Sequence, residues 1–94
     1  MFLIMLTYKQ SIEVVEQYLK EHRAFLGEGY TKNWFIVSGP KIPRTGGVII
    51  SNLKDKNQLE LILKQDPFYV NGVADFEIIE FTPVKHHPNF ASFV

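Results

Sequence analysis

The first segment of the chain constrains the fold most strongly, because it is apolar on both of the sides that a β-strand presents alternately. One side would carry Phe2, Ile4, Leu6 and Tyr8, and the other would carry Leu3, Met5 and Thr7. A strand with this pattern is covered on both faces of its sheet. Since a single layer of helices covers only one face, the fold must bring further apolar surface against the other.

Length, charge and cysteine content narrow the class of protein. The chain has 94 residues, which is room for one domain, and a domain of this size buries little more than about 60% of its unfolded surface. Its formal net charge is zero, so it lacks the basic character of a nucleic-acid-binding protein. The absence of cysteine excludes disulfides and is compatible with a reducing cytoplasm. We therefore expect a single cytoplasmic domain over residues 1–94, which self-association would stabilise.

The apolar N-terminus is expected to be a strand and not a targeting segment. The run from Met1 to Leu6 has no basic region, is shorter than the apolar region of a signal peptide and lacks a small-residue cleavage site. No stretch of the chain approaches the roughly 20 apolar residues of a membrane span. We therefore expect no membrane association.

Alternating and helical periodicities, with turn residues between them, predict six elements and a tail. Strands are predicted at about 2–8, 34–39, 47–53 and 73–82, helices at about 11–26 and 55–66, and the tail at 83–94. This βαββαβ order is that of an α+β ferredoxin-like fold, with a four-stranded antiparallel sheet and two helices on one face. The other face would meet the same face of a second subunit, which predicts a homodimer.

Residues with known capping preferences predict where the helices begin and end. Ser11 is a predicted N-cap, and Gly27 with Gly29 is predicted to end the first helix near residue 26. The inward face of the second helix extends to Asp66. That helix is predicted to end there, because Pro67 disfavours helical backbone at the residue before it.

Two ionisable residues interrupt the apolar stripes that should face the interior. His22 falls in the stripe of the first helix with Leu19 and Leu26, and Asp66 falls in that of the second. A buried ionisable group is costly unless it has a partner or a task, so the two predict a buried site. A carboxylate bonded to one imidazole nitrogen would leave the other nitrogen as a general base. Two structural interpretations stay open, with His22 bonded to a carbonyl or water and Asp66 capping the turn at Pro67.

Four short motifs occur in order along the chain. They are Glu21-His22-Arg23-Ala24-Phe25-Leu26, Val37-Ser38-Gly39-Pro40, Gly46-Gly47, and Asp66-Pro67-Phe68 followed by Gly72. With these motifs, the chain from about residue 1 to 83 resembles the YCII-related family. The resemblance implies a ferredoxin-like fold, assembly as a dimeric α/β barrel similar to muconolactone isomerase, and a catalytic His-Asp dyad. The dyad would be His22 and Asp66, with Ser38 near the cavity, and relatives in aromatic degradation act in dehydrochlorination.

These observations predict a small enzyme that uses no cofactor and performs acid-base chemistry on a small, aromatic or anionic metabolite, by elimination or isomerisation. His22 and Asp66 are the predicted catalytic residues. Predicted substrate contacts are Ser38, Arg44, Trp34 and Phe68, with a core or interface position as the alternative for the two aromatics. The alternative function is a non-catalytic small-molecule binding or sensor protein that uses the same cavity.

Three remaining segments bear on metals and partners. His86-His87 has no carboxylate at helical spacing, so we predict no metal site. The third predicted strand, Val48 to Ser51, lacks the basic and aromatic residues that RNA-recognition domains of this topology use. In the tail, Phe90 and Phe93 are expected to dock on the partner subunit or on the rim of the barrel.

Overall fold

Four strands form one antiparallel sheet in the computed structural model, which describes all of residues 1–94. The strands are β1 (Phe2–Tyr8), β2 (Val37–Pro40), β3 (Gly46–Ser51) and β4 (Ala74–Glu80). Their spatial order is β2-β3-β1-β4, and every neighbouring pair is antiparallel. The predicted α+β ferredoxin-like fold is confirmed.

Helices pack on one face of this sheet. They are α1 (Ile12–Thr31), α2 (Lys56–Leu63) and α3 (Pro67–Val70), and a 3-10 helix (Pro88–Phe93) lies in the tail. Thirteen buried apolar residues from the strands, helices and connections form one core. No helix combines the length and the apolar character that a membrane span requires.

The two sides of β1 differ in burial. Phe2, Ile4 and Leu6 point towards the helices and are at most 2% exposed. Leu3 and Met5 point to the other face and are half-buried. The second apolar side of this strand therefore lies on the sheet face that the helices leave uncovered.

The helix α1 does not end at Gly27, as its sequence predicts, but continues to Thr31. A Cβ added at Gly29 would overlap the ring of Phe35, whereas one added at Gly27 would meet no atom within 4 Å. Gly29 is therefore explained by close packing against a buried aromatic ring, and its place in the chain does not mark a helix end.

The helix ends instead through a left-handed residue that is not glycine. Asn33 has a φ of 59° and donates its N–H to the carbonyl of Tyr30. The next residue, Trp34, donates to the carbonyl of Gly29 at 2.8 Å. These two bonds form a Schellman motif, which asparagine supports less often than glycine does.

The segment around Asp66 also differs from its prediction. The helix α2 ends at Leu63, and Asp66 lies beyond it with extended backbone, at φ −64° and ψ 127°. Pro67 restricts the residue before it to this region and suits the first helical position. Asp66 is therefore the N-cap of α3, a separate helix of four residues.

The tail lies at the end of the sheet where β1 begins and β4 ends. Backbone hydrogen bonds join Met1 and Phe81 in both directions at 3.0 Å. Phe93 and Val94 line a cavity of about 470 Å³ that Met1 and Phe81 also line. The Phe90 and Phe93 rings are 5.3 Å apart, so the two aromatics predicted to dock pack on each other.

Candidate active site

His22 lies near the middle of α1, on the side that faces the sheet. The repeat that carries it is apolar, with Leu19 and Leu26 one turn before and after it. Its side chain is only 10% exposed. A polar group held in such a place is hydrogen-bonded in nearly all proteins, so its partners identify its role.

Asp66 is the partner of His22. The Nδ1 atom of His22 lies 2.8 Å from Asp66 Oδ1 and 2.9 Å from Oδ2. The backbone N–H of Phe68 donates to the same Oδ1 at 2.9 Å. Because an ionised carboxylate only accepts hydrogen bonds, Nδ1 is the donor, and the proton on the neutral imidazole is placed there. Asp66 is fully buried, and it both caps α3 and orients the histidine.

Phe68 holds the histidine ring from its flat side. The two rings are stacked with centroids 3.9 Å apart and 2° between their planes. Tyr8 packs against Phe68 in a T-shaped arrangement, with 6.0 Å between the two ring centroids. Phe68 is 1% exposed, so it fixes the orientation of His22 from within the core.

The second nitrogen of His22 faces open space. Nε2 makes no hydrogen bond within the protein, although every fully buried side-chain nitrogen and oxygen has a partner. Nε2 is therefore accessible, and His22 lines a cavity of about 430 Å³. This volume is within the range of sites for small organic molecules.

The cavity lies between α1 and the β2–β3 region of the sheet. Its apolar lining includes Leu6, Leu19, Leu26, Ile49 and Phe68, and its polar or charged lining consists of Tyr8, Glu16, His22, Arg23, Ser38 and Arg44. Gly39 and Gly47 add backbone surface without side chains. A ligand in this space would meet His22 Nε2 and several hydrogen-bond donors at once.

The predicted substrate contacts fall into two groups. Ser38, Arg44 and Phe68 line the cavity, and the Ser38 hydroxyl is bonded to the Tyr30 hydroxyl at 2.5 Å. Trp34 lies elsewhere, because α1 continues past Gly29 and the chain enters β2 only at Val37. Its ring packs edge-on against Phe35, and the ammonium group of Lys32 lies 4.8 Å from its centroid. The structure does not bring Trp34 to the cavity.

Arg44 forms an ion pair at the exposed side of the cavity. Its Nη1 donates to Glu16 Oε1 at 2.6 Å. The Glu16 carboxylate, with a smaller contribution from the Tyr8 side chain, raises the pKa of Arg44 above its ordinary value. The guanidinium therefore stays charged throughout the physiological pH range.

No group of three His, Asp or Glu side chains is placed to hold a metal ion. In the tail, His86 Nδ1 donates to the carbonyl of His87, and the N–H of Asn89 donates to His87 Nδ1. The bond from Asn89 makes His87 the N-cap of the 3-10 helix. Each of the two adjacent histidines therefore makes a hydrogen bond within the tail.

Comparison with known proteins relates this arrangement to a family. The sequence model of the YCII-related domain matches residues 1–82. The chain belongs to the YCII-related family. The match ends close to the last strand, so the tail with its 3-10 helix lies outside it.

Among solved structures, this YCII-related protein is similar to the 5-chloro-2-hydroxyhydroquinone dehydrochlorinase of Burkholderia phenoliruptrix AC1100, in its complex with 2,5-dihydroxybenzoquinone. The TM-score is 0.74 at 21% sequence identity, and the match covers 86% of this chain and 92% of the dehydrochlorinase. Likeness at this identity establishes a common fold. No curated protein matches the sequence.

Several cavity residues of the YCII-related protein were not predicted from its sequence. Glu16 and Arg23 lie three residues before and four residues after the cavity residue Leu19, spacings that place side chains on neighbouring positions of a helix. That spacing is visible in the sequence, but both side chains resemble ordinary solvated charges. Tyr30 does not line the cavity but bonds the cavity residue Ser38, and this contact could not be predicted because the sequence predicts that the helix ends before Tyr30.

Proposed function

We propose that this protein is a small enzyme in which His22 acts as a general base, without a cofactor, on a small aromatic or anionic metabolite. One observation carries the proposal. The Nδ1 atom of His22 is held by both oxygens of Asp66, which is fully buried, while Nε2 faces a cavity of about 430 Å³. A carboxylate in this position fixes the tautomer and stabilises the imidazolium that forms when Nε2 takes a proton.

Elimination and isomerisation both fit this arrangement. Nε2 would remove a proton from an O–H or C–H group, and the electron pair left behind would form a new double bond. In elimination the bond from carbon to the leaving group breaks, and the leaving group takes the electron pair of that bond. In isomerisation the imidazolium returns the proton to another carbon. Arg44 and the Ser38 hydroxyl are the groups that would stabilise the oxygen on which negative charge develops.

The size and walls of the cavity support a substrate built on one ring. Leu19, Leu26 and Phe68 provide an apolar surface beside the imidazole. The structurally similar dehydrochlorinase holds 2,5-dihydroxybenzoquinone, which is a single ring with oxygen substituents. We therefore favour oxygenated aromatic rings as the first substrates to test.

The test is a panel of hydroquinones, chlorinated hydroquinones, lactones and keto acids, followed by proton NMR in D₂O. We expect the wild type to catalyse chloride release or C–H exchange in at least one compound. The variant His22→Gln should slow it by at least about 100-fold, because a general base contributes this much. The matched control is His86→Gln, which removes an exposed histidine of the tail and should leave the rate unchanged.

The same panel separates an enzyme from a binding protein. A compound that raises the melting temperature of both the wild type and His22→Gln, and is chemically unchanged by either, contradicts the proposed activity. That result would establish the non-catalytic small-molecule binding or sensor function instead.

We further propose that the protein forms a homodimer through the sheet face opposite the helices. Val37, Ile50, Leu3 and Ile79 lie opposite one another across the four strands and form one apolar row on this face. Val37 is 51% exposed and Ile79 is 44% exposed. A second copy of the same row would cover it and supply the apolar surface that the second side of β1 requires.

A further inference from the structure

Cations outnumber anions among the side chains around the cavity. The charged residues that line it are Arg23, Arg44 and Glu16. Arg23 and Glu16 come from α1, and Arg44 comes from the loop between β2 and β3. Two elements therefore bring positive charge to the same space, beside His22.

The ion pair of Arg44 with Glu16 is open to replacement. The two side chains are 39% and 51% exposed, and an ion pair in such surroundings contributes little to stability. A carboxylate binds the same planar edge of a guanidinium, frequently through two parallel hydrogen bonds. An anionic ligand in the cavity would thus compete with Glu16 for Arg44 on nearly equal terms.

Arg23 has no carboxylate partner of its own. It makes no ion pair or side-chain hydrogen bond in the structure, although four ion pairs form elsewhere. Arg23 lies seven residues after Glu16, so the two side chains lie on nearly the same face of α1. Glu16 is the only acidic residue that lines the cavity, and it is already bonded to Arg44. Arg23 therefore keeps a free charge at the cavity.

We propose that Arg44 and Arg23 form an anion-binding subsite that takes the carboxylate of a ring-containing organic acid, and that Glu16 competes with this carboxylate for Arg44. The inference rests on the proposed function, because it places the ring against the apolar wall next to His22. It adds the chemical class of the ligand, which is a monocyclic carboxylate. It also identifies Glu16 as the residue that lowers the affinity for this ligand.

Benzoate and benzamide are the probes, because they match in ring and shape and differ in charge. Titration of the full chain, followed by NMR or calorimetry, should show that benzoate binds more tightly than benzamide. Arg44→Gln and Arg23→Gln should each weaken benzoate binding by about tenfold, the usual worth of a charge-assisted hydrogen bond. Both should leave benzamide binding nearly unchanged.

The decisive variant is Glu16→Gln, which should strengthen benzoate binding several-fold because it frees Arg44 from its competitor. A purely structural ion pair predicts no gain. Lys9 and Asp75 form a matched control, since their ion pair at 3.1 Å lies outside the cavity. Lys9→Gln and Asp75→Asn make the same changes in net charge and should not alter benzoate affinity.

Equal or absent binding of the two probes, or benzoate affinity that does not rise in Glu16→Gln, would overturn the anion subsite. The proposed function fails separately. If His22→Gln keeps full turnover while the arginine variants lose benzoate, the subsite stands and general-base catalysis by His22 does not. If His22→Gln loses turnover and the arginine variants keep benzoate affinity, general-base catalysis by His22 stands and the anion-binding subsite does not.

Discussion

The imidazole of His22 lies flat on the ring of Phe68, with 3.9 Å between the centroids and 2° between the planes. Asp66, two residues before Phe68, binds the same imidazole at its edge. Pro67 between them sets the extended backbone that lets both side chains reach the histidine. The sequence Asp66-Pro67-Phe68 thus works as one unit that fixes both the position and the tilt of a single imidazole.

Phe68→Leu tests the contribution of the stacked ring. Leucine keeps apolar volume but has no flat face, so His22 gains rotational freedom, and we expect turnover to fall by at least about tenfold. The free energy of unfolding should fall by about 1–2 kcal/mol. The control is Phe25→Leu, a buried core position away from the cavity. It should show a similar loss of stability in urea with full activity.

Asp66→Asn tests the carboxylate with little change in shape. The amide can donate to Nδ1, which moves the imidazole proton to Nε2 and removes the free base. We expect turnover to fall by about 100-fold or more. Long-range ¹H–¹⁵N NMR should find the proton of the neutral imidazole on Nδ1 in the wild type and on Nε2 in the variant. The same tautomer in both proteins would contradict this explanation.

Asp66→Ala tests the structural role of the same residue. It removes the N-cap of α3 and leaves the buried Nδ1–H of His22 without an acceptor. The two losses together should lower the free energy of unfolding by about 2–4 kcal/mol. Chemical denaturation at a fixed protein concentration measures the change, and a loss below 1 kcal/mol would show that water replaces the carboxylate.

Gly27→Ala and Gly29→Ala form a matched pair within α1. Alanine at Gly27 meets no atom within 4 Å, so better helix propensity should raise the free energy of unfolding by about 0.5–1 kcal/mol. Alanine at Gly29 overlaps the buried ring of Phe35 and should lower it by about 1–3 kcal/mol. Urea unfolding measures both, and changes of the same sign would contradict the packing role of Gly29.

Leu3→Lys tests the proposed dimer. Each subunit would place an unpaired ammonium group on the apolar row, so the dissociation constant of the dimer should rise by at least about 100-fold. Ile79→Lys, on the edge strand β4, should also raise the dissociation constant of the dimer, and it should lower the free energy of unfolding less than Leu3→Lys does. Leu61→Lys is the control, because Leu61 is 65% exposed on α2, away from the sheet face. If analytical ultracentrifugation shows that the wild type is a monomer at micromolar concentration, the proposed dimer is contradicted.

The order of the strands and of the two main helices could be predicted from the sequence, because their periodicities are local signals. The pairing of His22 with Asp66, which are 44 residues apart, was indicated by their places in two apolar stripes and by the resemblance to the YCII-related family. The apolar run of β1 and the helical repeat through His22 each extend over several residues. Asp66 was placed at the right position but assigned to the end of α2. The helix α2 ends at Leu63, and neither glycine nor proline directly follows Leu63 to mark that end in the sequence.

The end of α1 and the position of Trp34 could not be predicted, and one contact accounts for both. Gly29 packs against Phe35, which follows it by six residues and lies beyond the end of the helix. Without that contact Gly29 looks like a helix terminator. An early end of the helix would have moved Trp34 into a strand beside the cavity, and the left-handed Asn33 gives too weak a signal to correct this.

The short length of α3 has a consequence for the motions of the protein. His22 lies near the middle of a helix of 20 residues, whereas Phe68 lies in a helix of only four residues that Asp66 caps. Segments of this kind open while the rest of a domain stays folded. Amide hydrogen exchange should therefore be faster in α3 than in the middle of α1. Each such opening releases the imidazole from its carboxylate and its aromatic support together, so the lifetime of the closed segment sets how long the base stays oriented.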